Sequence, residues 1–463
     1  MYYYLTAIAF VSYILYKCYI YPLYLSPLLK VPGPPVDNFL LGHYASILSK
    51  NIKEAFYHLV KQYGGIVKYH GLLSKPYILV ADPKLVQEIL SSHSYEYPRD
   101  IFNKPPLKDV LGEGLLFADG NVHKRQRRLM SPLFAYANIK EMLPTIVQAG
   151  HRLKDIWIKQ IGNEKSKRIT VTELIPKTTL DIIGLVGFNY EFNSTTSESE
   201  LAQAYNALAN NTNSSIYLAL LRFFPSLRKI PTSHNNKQLN SIKTINNTTE
   251  RLIAEQRSSL VRGTDLLSLL VKANDSLPVD QQLTHKELTG QTTSTAISWA
   301  LYFLAKSPDA QDRLRKEVLE ILVDRDHCPT FDEIEHMKYL DCVFKEALRL
   351  IPPGINTSLW IPIYAIHRNP LIWGDDAEHF NPSRWLNPEL KSKITNYTYL
   401  PFGAGPQNCV GMRMAHLELK TILSIIIRNF EFRSVEGFSV RIGESVLSKP
   451  IPGVDLMVSK VDC

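Results

Sequence analysis

Most long segments of the chain place hydrophobic residues at helical rather than alternating spacing. The first segment differs. In "MYYYLTAIAFVSYILYKCYIYPLYLSPLL", Met1 to Tyr16 carry no charged side chain and the apolar character resumes after Lys17. The run is just long enough to cross a bilayer. Tyrosines at both ends suit the membrane interface. Lys17 and Lys30 follow the apolar run with no charge before it, which predicts that the remainder faces the cytosol. No small-residue cleavage site follows and no Lys or Arg opens the segment, so residues 1–29 are expected to be an anchor rather than a cleaved signal peptide. Next, "KVPGPP" sets Pro32, Pro34 and Pro35 where a helix cannot continue. Residues 30–36 thus read as a stiff hinge before a folded domain spanning 37–463.

Within that domain no repeat, low-complexity tract or second linker appears. "SPDAQDRLRKEVLEIL" opens with a helix-start signal and puts Leu314, Val318 and Leu322 on one face. "FDEIEHMKYLDCVFKEALRL" has the same periodicity and ends at "IPPG". Short extended runs within "YGGIVKYHGLLSKPYILVAD" predict a small sheet. The expected fold class is mainly α with a small β subdomain.

Composition narrows the function. At 463 residues and 45% hydrophobic, the chain can bury a large core. Cys18, Cys328, Cys342, Cys409 and Cys463 lie far apart, without the pairs of a zinc site or the density of a disulfide scaffold, so a reducing compartment is expected. Asn-x-Ser/Thr tripeptides at Asn193 and Asn396 carry no meaning in a cytosol-facing domain. The net charge of +8 is spread along the chain and suits acidic partners or anionic membrane. No motif supports nucleic-acid binding.

Candidate chemistry centres on "PFGAGPQNCVGMRMA", residues 401–415. A single cysteine, Cys409, stands between glycines at a predicted helix start, where unpaired N–H groups and the helix dipole favour thiolate. Gly405 and Gly411 permit tight backbone and the approach of a flat ligand, and Phe402 can shield the sulfur. Upstream, Glu346 and Arg349 of "KEALR" share a helical face and can engage Arg384 of "FNPSRW". In "DGNVHKRQRRLMSPLF", His123 and Arg127 are one turn apart, while Lys124, Arg125 and Arg128 form a basic surface.

Together these motifs resemble the cytochrome P450 family of haem-thiolate monooxygenases, over nearly the whole chain and with particular similarity to membrane-bound fungal members. Phe402, Gly405, Cys409 and Gly411 match the haem-binding signature. The resemblance implies haem b with Cys409 as axial thiolate and metal ligand, His123 and Arg127 toward the haem propionates, and Glu346, Arg349 and Arg384 as a triad locking the fold. It further implies insertion of one oxygen atom of O2 into a lipophilic substrate, the thiolate assisting O–O cleavage. Electrons would come from an acidic flavoprotein docking on the basic helix. NADPH-cytochrome P450 reductase is the expected donor, with cytochrome b5 as a second one, at the endoplasmic-reticulum membrane. A non-catalytic haem-binding paralogue, or a haem-thiolate isomerase or dehydratase needing no electrons, is the alternative.

Two residues depart from the family pattern. Gln407 stands where the signature has Arg and cannot neutralise a propionate. In "LTHKELTGQTTSTAISWALYFLAKSP", Gln291 stands where the distal helix has an acid. Thr292 then aligns as the proton-relay alcohol, followed by Thr293, with slower proton resupply. The resemblance also implies missing stretches before Thr289 and after "LRLIPPGINTS", so the distal helix and the segment after the Glu-x-x-Arg helix are expected to be short. Weakened haem binding should follow.

Overall fold

A computed structural model describes residues 2–49, 51–97, 114–115, 118–196, 200–209, 230, 232–258, 265–275, 293–352, 361–443 and 448–461. The chain forms two compact units. One comprises Met1–Tyr97, Lys345–Asn408 and Arg441–Lys449; the other comprises Pro98–Phe344, Cys409–Val440 and Pro450–Cys463. Both are predominantly helical among the described residues, with short strands.

The first unit begins with an α-helix, Tyr2–Leu15. It continues as a π-helical stretch, Tyr16–Leu25, and a 3-10 turn, Pro27–Lys30. By length and composition this run can cross a membrane. The proline-rich stretch that follows is laid against a strand. Lys68 N–H donates to the Pro32 carbonyl at 2.8 Å, and His43 Nε2 lies 2.7 Å from the Pro35 carbonyl. That strand, Ile66–His70, pairs antiparallel with Pro76–Val80 in the register Val67↔Leu79 and Tyr69↔Tyr77. Alternation of small polar turns with β-branched and aromatic residues explains the hairpin. Its Val67, Tyr69 and Leu79 side chains bury against Ala55 and Phe56 of the helix Ile52–Tyr63. A neighbouring cluster joins Val86 and Leu90 to Ile361, Ile366 and Leu400.

In the second unit the helix Met412–Asn429 is buried along almost its whole length from Leu417 onward. Against it packs Leu143–Ile161, where Gly150 is needed: a Cβ there would lie 2.8 Å from Ile425 Cδ1. A three-stranded antiparallel sheet orders Lys167–Thr170, Asp455–Lys460 and Phe430–Ser434, with Asp455–Lys460 in the middle. Trp157 meets Phe430 and Phe432 edge-on, closing that core. Buried Gln311, on the helix Pro308–Ile321, donates to Phe432 O and accepts from Phe432 N–H, tying helix to sheet.

Leu314 and Val318 are fully buried on that helix, with Leu322 buried at its end. The periodic stretch after it is not one helix. It divides into Phe331–His336 and Lys338–Leu350, because Met337 leaves helical geometry at ψ 85°. Thr330 and Glu333 form a capping box on the first piece, and the Glu317 carboxylate accepts the Tyr339 and Leu340 N–H groups at the start of the second. Competing caps at both starts explain the break that hydrophobic spacing alone conceals. Of the distal segment, the helix Thr293–Lys306 is described; Gln291, Thr292 and residues 353–360 lie outside the described residues, as does Cys463.

Candidate functional site

In the first unit, Glu346 and Arg349 are three residues apart on one helix and both are fully buried. Arg349 Nε and Nη2 each donate to the Glu346 carboxylate at 2.8 Å, a two-pronged pair. The same carboxylate accepts Arg384 Nε, Trp385 Nε1 and the Asn381 N–H, all at 2.9 Å. The rest of Arg349 is spent on the carbonyls of His367, Ala377 and His379. Arg384 also reaches Asp376 Oδ1 and the carbonyls of Trp373 and Asp376, at 2.8, 2.8 and 2.9 Å. Burial opposes the charge of Arg384, but Glu346 and Asp376 outweigh it and raise its pKa. Charges in such a place are tolerable only because every prong has a partner.

His367 completes this cluster and was not singled out by sequence pattern. Its Nδ1 lies 3.0 Å from the Arg349 carbonyl and its Nε2 accepts the Leu400 N–H at 2.7 Å, which assigns the neutral ring with its proton on Nδ1. Burial pushes its pKa down to about 3, helped by the charges of Arg349 and Arg368. The signal available in the sequence was only its place in "AIHRNP", after an apolar run and before Arg368.

The segment 401–408 belongs to the same unit. Gly405 has φ 71°, and a Cβ on it would lie 1.8 Å from the Leu90 carbonyl oxygen, so no other residue fits. Gln407 Nε2 points to the Ser94 carbonyl at 3.5 Å, a long contact. Phe402 is half-buried.

Cys409 opens the next segment, in the second unit, three residues before the helix Met412–Asn429. The side chain is exposed. Enough protein still crowds it for desolvation to be the largest influence, and this raises the thiol pKa against the opposing pull of the Gly411 N–H and Arg127. The helix-start argument for a thiolate therefore identifies a real but smaller effect. In the protein alone the thiol is favoured, and a metal would have to displace its proton.

Gly411 contrasts with Gly405. Its φ is −86° and a Cβ would meet only Phe134 Cε1, at 3.7 Å, so nothing in the protein demands glycine there. His123 and Arg127 lie on the helix Gly120–Met130; His123 is buried, and Arg127 Nε donates to Ser131 Oγ at 3.1 Å. Lys124 and Arg128 on this helix are exposed, while Arg125 is half-buried, so the basic surface is narrower than spacing suggests.

These residues fit a haem-thiolate group. Among the described residues no three His, Cys, Asp or Glu side chains converge as a metal cage. With no such cage among the described residues, an iron bound at Cys409 would have to arrive with most of its other ligands, as a porphyrin iron does. The exposed sulfur and the nearby Arg127 charge agree with such a group.

Residues 32–454 match the family model described as Cytochrome P450. Cytochrome P450 monooxygenase 128 of Postia placenta is 30% identical, covering 95% of this chain and 92% of the relative. Cytochrome P450 monooxygenase 205 of the same fungus is 31% identical over 88% of this chain and 86% of its own length. Cytochrome P450 monooxygenase sphH of Aspergillus fumigatus is 30% identical over 92% and 87%. The first of these alignments runs over 510 positions, more than the 463 residues here, so that relative carries stretches this chain lacks.

Proposed function

Because the chain belongs to the cytochrome P450 family and is a monooxygenase of it, we propose that Cys409 is the axial ligand of a haem b and that the substrate is a lipophilic small molecule. The family implies a haem-thiolate cofactor, and bound haem supplies the activation of O2. NADPH-cytochrome P450 reductase is the proposed electron donor, with cytochrome b5 as a second one and the exposed Lys124 and Arg128 as part of the docking face. The helical run Tyr2–Lys30 anchors the enzyme in the endoplasmic-reticulum membrane with the catalytic domain toward the cytosol.

The observation that carries this reading is the exposed Cys409 thiol beside the Gly411 N–H and within the field of Arg127. Deprotonated Cys409 Sγ would be the side chain that holds the haem iron. Arg127 offers charge to an anionic propionate and His123 a second polar contact from the same helix, while Gln407 offers only a neutral hydrogen bond. Gly405 keeps the preceding turn tight against Leu90. Thr292, flanked by Gln291 and Thr293, would supply the alcohol that relays protons to the oxygen chemistry a bound haem would provide. With an amide in place of the acid, resupply is slow. The triad of Glu346, Arg349 and Arg384 holds the fold and takes no part in the chemistry.

The test is the CO-bound ferrous spectrum of purified protein. Cys409→Ser should abolish the red-shifted Soret band seen in the parent, and a variant keeping that band would remove Cys409 from the iron. A parent that consumes NADPH through the reductase and yields an oxygenated product supports monooxygenation. Product formed without electrons would instead indicate isomerase or dehydratase chemistry.

A further inference from the structure

In the first unit, the turn that carries Leu90 and Ser91 is wound more widely than an α-helix. After the α-helix Pro83–Gln87 the chain continues as a π-helical stretch, Glu88–Ser92, closed by the His93 N–H on the Glu88 carbonyl at 2.9 Å. A wide turn of this kind takes in an extra residue and re-aims the groups beside it. Here the re-aimed groups meet the segment that leads to Cys409. The Leu90 carbonyl and the Ser91 hydroxyl both lie against Gly405, whose Cβ, if it had one, would be 1.8 Å from the first oxygen and 2.9 Å from the second.

The Ser91 hydroxyl also shares a 2.9 Å hydrogen bond with the Tyr397 hydroxyl, 306 positions along the chain. Tyr397 is half-buried against the cluster of Leu90, Leu400 and Ala404, so packing fixes its ring and Ser91 fixes its hydroxyl. One small side chain therefore touches the segment before the cysteine at two points, residues 397 and 405. The onward link is short. The Gly405 carbonyl accepts the Asn408 N–H at 3.1 Å, closing a turn whose next residue is Cys409. Because the Cys409 side chain is exposed, its sulfur takes its position from the backbone around it more than from packing of its own.

We propose that Ser91 is a positioning residue for the iron ligand: by bridging Gly405 and Tyr397 it holds the turn that keeps Cys409 Sγ in place for a haem iron. This rests on the reading of Cys409 as the axial ligand. Ser91 acts through the turn and not on the sulfur. Without the bridge the segment keeps its fold, since Leu90, Leu400 and Ala404 still pack together, but the sulfur is free to leave the iron.

The experiment uses the full chain loaded with haem in detergent. It reads, per bound haem, the red-shifted CO-bound ferrous Soret band of thiolate-ligated iron against the unshifted band of iron that has lost its thiolate. Ser91→Ala and Tyr397→Phe each delete one hydroxyl of the bridge, and each should lower the ratio of the two bands about fivefold, the equilibrium weight of one net hydrogen bond. The double variant should fall no further than either single one, because both remove the same bond. Tyr399→Phe is the control. It deletes the 3.0 Å bond from the Tyr399 hydroxyl to the Lys345 carbonyl, in the same segment but not to Ser91, and should lower the thermal midpoint while keeping the parent ratio. Variants at 91 and 397 that unfold earlier yet keep the parent ratio would make the bridge merely structural and overturn the proposal. Losses that multiply in the double variant, or an equal loss in Tyr399→Phe, would overturn it as well. A red-shifted band retained by Cys409→Ser would instead remove the haem-thiolate reading, and the proposal with it.

Discussion

The Glu346 carboxylate and the Cys409 thiol solve opposite problems. Glu346 is wholly enclosed and five donors converge on it. Cys409 is exposed, and besides the Gly411 N–H and the charge of Arg127 its main environmental influence is a desolvation that disfavours its ion. One residue has used up its bonding capacity on the fold. The other has bonding capacity to offer a ligand. Conserving shape therefore matters most around Glu346, and conserving chemistry around Cys409.

The strongest way to break this contrast is Glu346→Gln. The amide keeps the shape but removes the charge and turns an NH2 group toward donors that one carboxylate oxygen had accepted, leaving the buried Arg349 guanidinium without its carboxylate while Arg384 retains only Asp376. Disrupting one partner of a buried pair costs about 3–5 kcal/mol, a large part of the roughly 5–15 kcal/mol that holds a folded domain. Thermal unfolding should occur far below the parent. A midpoint within a few degrees of it would show that the cluster is not structural.

The two glycines sharpen the same contrast at smaller scale. Gly405→Ala places a methyl on the Leu90 carbonyl at positive φ and should cost about 1–3 kcal/mol of stability. Gly411→Ala meets only Phe134 at contact distance, and its stability should change by no more than about 0.5 kcal/mol. Its effect should appear instead in haem uptake, measured by Soret absorbance per polypeptide. Equal haem content in parent and Gly411→Ala, or a stability loss equal to that of Gly405→Ala, would erase the distinction.

How much of this was legible in the sequence depended on what each residue answers to. Glu346, Arg349 and Arg384 could be paired in advance because a three-residue helical spacing and one downstream Arg define the geometry almost unaided. Cys409 could be placed at a helix start for the same reason. Burial is a property of the whole fold, so the desolvation that raises its thiol pKa could not be read from neighbours in sequence. Nor could the break at Met337, where capping by Thr330 and Glu317 overrides an unbroken hydrophobic period. The strapping of Pro32 to the hairpin depends on Lys68, a partner far along the chain, whereas proline content signals only that a helix must stop.

His367 provides the finest test, because it belongs to the closed cluster yet titrates. Its folded pKa is near 3, while an unfolded histidine titrates near 6.5. Between those values the unfolded chain binds a proton that the folded chain refuses, so stability is complete above about pH 6.5, declines as pH falls, and stops declining from this source near pH 3. His70, pushed down to about 4 mainly by burial, adds a decline of the same sign over a narrower window. His367→Gln can still donate to the Arg349 carbonyl and accept the Leu400 N–H, but it carries no titrating group. Denaturant unfolding at a series of pH values should therefore show a shallower acid slope in the variant, by at most about 1.4 kcal/mol per pH unit, with the His70 share remaining. Parallel curves for parent and variant would mean that His367 is already protonated in the fold, and that the neutral ring assigned from its two bonds is wrong.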